Sequence, residues 1–236
     1  MSTITIQATD GSGSFTAYHA APQGDHVTGD VGVVVLIQEI FGVNKSLRDT
    51  ADQVAGLGYH VIAPDLFWRQ EPGVDISDKT QAEWDKAFAL MNGFDQAKGI
   101  EDLNATLAAA RALPGSTGRV ATMGYCLGGR LAFMMATRSN ADLNISYYGV
   151  GLEGLLGELP NISKPLVVHM AALDKFVSAE ARATILAAVA GNALIDAHVY
   201  PGAEHAFARV GGVHWDTRSA WIANGRSAAA LAEVLE

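Results

Sequence analysis

The sequence predicts a three-layer α/β domain, a mainly parallel sheet with helices on both faces. Three observations predict it. Short apolar runs alternate with helix-length segments along the chain, the pattern of successive βαβ units. The apolar runs, such as Val33-Val34-Val35-Leu36-Ile37 and Leu166-Val167-Val168-His169-Met170, are continuous rather than alternating. That is expected of strands buried on both faces. The 236 residues show no linker-like stretch and no internal repeat, which suits one large domain spanning 1–236 with a real core.

Residues 4–20 alternate weakly between apolar and polar, as an antiparallel hairpin at a sheet edge would. Residues 33–37 form the first buried strand. A helix follows over 46–57, with Asn44 placed to cap its first turn and Gly58 to stop it. Residues 60–63 are the next strand, closed by Pro64. Helical runs cover 81–91 and 100–113. An apolar run at 120–123 leads into Cys126, and a helix-like run at 130–136 follows it. Strands are predicted at 144–148 and 166–170, a helix at 179–190 and a strand at 197–200. A final helix covers 219–235, weakened by Gly225.

Composition narrows the function. Apolar residues make up 49% of the chain and charged residues 17%, an ordinary globular balance. The net charge is −9 and the Lys and Arg residues form no stripe, which argues against a nucleic-acid surface. The start lacks a basic segment followed by an apolar one, and no apolar stretch is long enough to cross a bilayer. These features predict a soluble cytoplasmic protein that needs no membrane or nucleic-acid partner. A single cysteine excludes an internal disulfide and, with separate His and Asp residues, becomes a candidate nucleophile.

That cysteine sits in Gly124-Tyr125-Cys126-Leu127-Gly128, between a strand and a helix. Strand, tight turn and helix are the setting of a nucleophile elbow, in which flanking glycines are needed because the turn is sharp. The helix N-terminus beneath it supplies free N–H groups for a thiolate and a developing oxyanion. On an α/β-hydrolase fold the acid and then the histidine follow the nucleophile in chain order. Asp174 follows the strand at 166–170, and His205 follows the strand at 197–200. Both fall just past the carboxyl ends of parallel strands, where such sheets carry their sites.

The chain resembles the dienelactone hydrolase family. The resemblance rests on Gln38-Glu39-Ile40-Phe41-Gly42-Val43-Asn44, Ala63-Pro64-Asp65-Leu66-Phe67, Gly124-Tyr125-Cys126-Leu127-Gly128-Gly129, Tyr147-Tyr148-Gly149 and Gly202-Ala203-Glu204-His205-Ala206-Phe207, in family order over nearly the whole chain. It implies a Cys126 nucleophile, a His205 base and Asp174 as its orienter. It further implies that Glu39 hydrogen-bonds a resting neutral thiol and moves when substrate binds. The backbone N–H groups of Leu127 and Ile40 would form the oxyanion hole, and Arg209 would hold a substrate carboxylate. The implied activity is the opening of a lactone such as dienelactone, in catechol breakdown, through a thioester on Cys126. The family carries a second carboxylate-binding arginine where this chain has Trp84. Lys79 and Lys86 are nearby but cannot supply a bidentate fork. Trp84 would then line the substrate pocket and favour a smaller, less charged or more aromatic ester.

Each residue also has an ordinary reading: buried small hydrophobe for Cys126, turn former for Asp174, loop histidine for His205, core residue for Trp84. His60, His169 and His198 lie in strand patterns, and His19, His26 and His214 lack ligand spacing. HExxH and CxxC are absent, so neither a metal nor a cofactor is expected. Gly149-Val150-Gly151-Leu152-Glu153-Gly154 spells a dinucleotide fingerprint, but Gly157 and Pro160 are expected to leave no room for the helix it needs. Two rivals to a lactone hydrolase stand beside it: a broader carboxylesterase or thioesterase on the same fold, and a thiol sensor or binding module without turnover. A monomer acting on a small molecule is expected.

Overall fold

The structure is a computed structural model that describes residues 2–24 and 27–236. His26, read above as a histidine without ligand spacing, lies outside them. One eight-stranded sheet runs through the molecule in the order β1-β2-β4-β3-β5-β6-β7-β8. The edge hairpin forms as expected: β1 (Ser2–Gln7) pairs antiparallel with β2 (Ser14–Ala20), and β2 pairs antiparallel with β4 (His60–Pro64). From β4 onward all pairs are parallel, through β3 (Val31–Ile37), β5 (Ser116–Tyr125), β6 (Leu143–Tyr147), β7 (Leu166–Ala171) and β8 (Ile195–Tyr200). Every residue of β4, β6 and β7 is buried, as a sheet covered on both faces requires.

Two apolar cores lie on the two faces of this sheet. On one side α1 (Lys45–Ala55) and α6 (Thr217–Leu235) bury Leu47, Ala51, Ala220, Ala223 and Leu231. On the other, α3 (Gln96–Arg111), α4 (Leu127–Arg138) and α5 (Ala179–Val189) bury Leu103, Leu131, Phe133 and Ile185, and α2 (Gln81–Gly93) adds Ala87 and Leu90. Asn44 caps α1 as expected, accepting a hydrogen bond from Leu47 N–H at 3.0 Å. Among the described residues no helix is long and apolar enough to cross a membrane.

Several elements differ from expectation: β5 begins at Ser116, four residues early, and α4 at Leu127, three early. Helix α3 begins at Gln96, four residues early, because the Asp95 carboxylate accepts from the N–H groups of Ala97 and Lys98 and caps it there. The segment expected to hold no helix carries a 3₁₀ helix, Leu152–Asn161. Its i→i+3 turns are closed locally, so Pro160 removes one bond near the end without undoing the rest. The glycine turn ahead of it is filled by Arg130, whose Nη1 donates to the Gly151 carbonyl at 2.5 Å.

Candidate active site

Strand order explains where the chemistry collects. β3 and β5 are neighbours from which the chain departs in opposite directions, the switch point at which open α/β sheets leave a crevice. Glu39 and Ile40 follow β3, Cys126 follows β5, Asp174 follows β7 and His205 follows β8.

Cys126 has φ +57° and ψ −113°, a region costly for a residue with a Cβ. Three glycines let the chain make this turn. A Cβ on Gly124 would lie 2.0 Å from the Gly128 carbonyl oxygen. One on Gly128 would lie 2.4 Å from that of Ile37, and one on Gly129 2.4 Å from that of Tyr147. All three obstacles are backbone atoms, which cannot step aside. The Cys126 N–H donates to the Tyr147 carbonyl at 3.0 Å and ties the turn to β6. The sulfur-bearing residue keeps 8% of its surface exposed.

The structure brings Asp174 and His205 together. Their loops are stitched by Leu173 N–H donating to the Ala203 carbonyl at 2.9 Å. Asp174 Oδ1 accepts from the N–H groups of Phe176 and Val177, and Oδ2 accepts from His205 Nδ1 at 2.8 Å. That contact assigns the Nδ1 proton and leaves Nε2 as the working nitrogen. Nε2 is buried and has no hydrogen-bond partner among the described residues. Burial pulls the imidazole pKa down. The negative charge of Cys126, and then the Asp174 hydrogen bond, outweigh it and push His205 up to about 10.

Glu39 does not sit on the sulfur in this state. Both its oxygens are taken by Arg209, with Nε at 2.5 Å and Nη2 at 3.1 Å. Arg209 Nη1 donates to Asp78 Oδ2 at 2.6 Å, and the guanidinium lies over the Phe41 ring, 4.8 Å from its centroid. Burial lowers the Arg209 pKa, but the charge of Glu39 and the hydrogen bonds to it more than reverse this. The loop carrying Glu39 is held by Gln38, whose side chain accepts from Leu66 N–H at 3.0 Å. At Gly42 (φ +78°) a Cβ would meet the Val74 carbonyl oxygen at 1.9 Å, so residues 73–76 can press directly on this loop.

The N–H groups of Ile40 and Leu127 donate to no acceptor among the described residues, so both are free at the ends of β3 and β5. A small cavity is lined by Glu39, Asn44, Thr50, Tyr125, Tyr148 and Arg209 and contains none of Cys126, Asp174, His205, Ile40 or Leu127. Trp84 is not among its lining residues. Its indole N–H donates to the Asp78 carbonyl at 3.0 Å, and its ring meets the edge of Phe41 at 5.0 Å. Trp84 thus touches the site through Asp78 and Phe41. A larger apolar cavity of about 640 Å³ lies between α1 and α6 and contains none of Cys126, Asp174 or His205. Among the described residues no cluster of three or more His, Cys, Asp or Glu is placed to hold a metal ion.

Two residues were missed in the sequence. Tyr148 (φ +37°) packs its ring on His205 at 5.0 Å, and its hydroxyl is buried without a partner among the described residues. Burial first, and then the charge of Glu39, push that phenol well up. The motif Tyr147-Tyr148-Gly149 pointed at it without a role. Asp78 had no local signal at all.

A family model described as the dienelactone hydrolase family matches residues 15–234. The chain belongs to that family. A protein of Azospirillum brasilense named as a carboxymethylenebutenolidase is 54% identical over 230 residues, covering 97% of each chain. Carboxymethylenebutenolidase 1 of Cupriavidus pinatubonensis is 40% identical over 220 residues, covering 93% of this chain and 92% of its own. Among solved structures, a dienelactone hydrolase by name from Klebsiella pneumoniae superposes with a TM-score of 0.81 at 26% identity, over 98% of this chain and 99% of the other. The fold is therefore the α/β-hydrolase fold of this family.

Proposed function

We propose that this protein hydrolyses lactones or small carboxylic esters through a thioester on Cys126, with the ring opening of a dienelactone as the reference reaction. The observation that carries the reading is His205: Nδ1 bound to Asp174, Nε2 without a partner, and a pKa pushed up by the charge of Cys126. The names of the relatives and the strand-end placement of all three groups support it.

The steps follow from the geometry. The Cys126 thiolate attacks the carbonyl carbon, and the carbonyl oxygen takes the charge toward the free N–H groups of Ile40 and Leu127. Collapse expels the ring oxygen, which takes the proton from His205 Nε2. The leaving group of a lactone stays tethered, so the acyl-enzyme holds the opened chain. Neutral His205 then takes a proton from water, the hydroxide attacks the thioester, and the thiolate leaves. Glu39 is held off the sulfur by Arg209 in the state described, so the thiol proton passes to His205 Nε2, which later gives it to the leaving oxygen. The reading includes a cytoplasmic monomer working without a cofactor, since a free thiol nucleophile suits a reducing compartment.

The test is a purified Cys126→Ala variant assayed with cis- and trans-dienelactone and with aryl acetates. Turnover should vanish. A variant as active as the wild type would end the proposal, and a wild type that turns over nothing but responds to oxidation of Cys126 would favour a thiol sensor.

A further inference from the structure

The cavity of about 640 Å³ between α1 and α6 has no part in the chemistry above. Its volume is on the scale that encloses a small organic molecule, about 300–1,000 Å³. Val54, Met123, Val210 and Leu231 give it apolar walls, and among the described residues no charged side chain lines it. In a chain of net charge −9, that lining disfavours ions of either sign, which would lose water and gain no counter-charge. Two of the four tryptophans stand at its rim: Trp215 and Trp221 line it and are 36% and 71% exposed.

Polar groups converge at one place in this lining. The Tyr147 hydroxyl donates to Asn224 Oδ1 at 3.0 Å and meets the Ser227 hydroxyl at 2.7 Å, and Ser227 lies 3.0 Å from His169 Nε2. Burial holds the His169 imidazole well below its ordinary pKa, so this relay is neutral. Tyr147 and Ser227 are buried, whereas Asn224 is half-buried. With its Oδ1 taken by Tyr147, the Asn224 amide N–H groups have no acceptor among the described residues. Gly225, the next residue, sits in the middle of α6 and lines the same cavity. A glycine there weakens a helix. Its φ is not positive, and an added Cβ would meet nothing within 4 Å. Neither backbone nor packing calls for the glycine, and its effect is to keep the cavity open.

We propose that this cavity binds an uncharged, mainly apolar small molecule carrying one hydroxyl or carbonyl group, at a site separate from Cys126. The apolar body lies between the helices against Val54, Met123 and Leu231, with the two indoles at its outer end. The polar group bonds to Asn224, which Tyr147 and Ser227 hold in place. The proposal does not depend on the acyl-transfer reading.

The experiment titrates the purified chain at neutral pH with 2-naphthol, naphthalene and 2-naphthoate, read by calorimetry. 2-Naphthol should bind at one saturable site. It should exceed naphthalene by about threefold to tenfold, the scale of one net hydrogen bond. It should exceed 2-naphthoate by about tenfold or more, because the carboxylate would be dehydrated without a partner. Gly225→Leu and Ala228→Phe fill the space, and each should weaken 2-naphthol by about tenfold or more, since a close-packed interior leaves no second place for the ring. Leucine forms helix better than glycine, so Gly225→Leu should melt no lower than the wild type; lost binding is then distinct from lost fold. Asn224→Leu should erase the advantage of 2-naphthol over naphthalene, while Tyr147 keeps its Ser227 partner. Affinity for 2-naphthol unmoved in both filled variants, equal affinities for 2-naphthol and naphthalene in the wild type, tighter binding of 2-naphthoate, or no saturable binding of any probe overturns the proposal. So does a wild type that sediments as a dimer and becomes monomeric in Trp221→Asp, which would assign this face to a second copy of the chain.

Discussion

Replacing Arg209 by methionine removes one cation and strands two carboxylates. Met roughly keeps the length of the aliphatic stem, so the perturbation is mainly electrostatic. Glu39 loses both of its partners, and Asp78 keeps only the Val213 N–H at a long 3.5 Å. Removing one member of a buried pair costs about 3–5 kcal/mol. At about 2–4 °C per kcal/mol for a domain of this size, the melting temperature should fall by about 6–20 °C. Lys45–Asp49 supplies the control. Its contact is as short, at 2.5 Å, but the side chains are 78% and 37% exposed, so Lys45→Met should cost at most about 1 kcal/mol. A triple variant, Glu39→Gln, Asp78→Asn and Arg209→Met, should recover most of the loss, because no charge is then left unpaired. Calorimetric melting of the four proteins in one buffer measures this. An Arg209→Met loss no larger than that of Lys45→Met, or a triple variant no better than the single one, would refute the claim that this network is desolvated and mutually compensating.

Two further outcomes follow from the elbow and its histidine. In Cys126→Ser the neutral hydroxyl removes the largest influence holding the His205 proton, so the imidazole should titrate well below the wild type's value of about 10, as read from ring nitrogen chemical shifts; equal values would show that the charge of Cys126 is not what raises it. The raised pKa also signs a stability contribution, complete below the ordinary value of 6.5 and lost as pH rises through about 10. Gly128→Ala would place a methyl group 2.4 Å from the Ile37 carbonyl oxygen and 2.5 Å from that of Gln38. Both atoms end the central strand, so the variant should lose about 1–3 kcal/mol in urea unfolding and nearly all turnover; normal stability with full activity would show that the elbow does not need the close crossing.

What was legible in the sequence, and what was not, divides along a physical line. The strands could be read because burial on both faces leaves continuous apolar runs, and in an open parallel sheet the end of each strand points at one crevice. Reading the strands therefore located Cys126, Asp174 and His205 as residues that the backbone carries to the same edge, while Glu39 was given only by the resemblance. Helix starts were legible where a cap stood ahead of an obvious run, as at Asn44, and misplaced where it did not, as at Asp95. The 3₁₀ helix at Leu152–Asn161 escaped because a proline argues against an α-helix more strongly than against isolated turns. Asp78 escaped for a different reason. It lies 131 residues from Arg209, on a connection with no periodicity, and its meaning comes only from the guanidinium it reaches. A residue type at a strand end carries its chemistry with it, so its role survives in the linear sequence. An arginine carries a charge that a distant loop can cancel. The same Arg209 is an anion receptor if it stands alone and a sealed structural cation if Asp78 faces it. The reaction can thus be argued from strand ends, but the surroundings of that guanidinium depend on a connection between them.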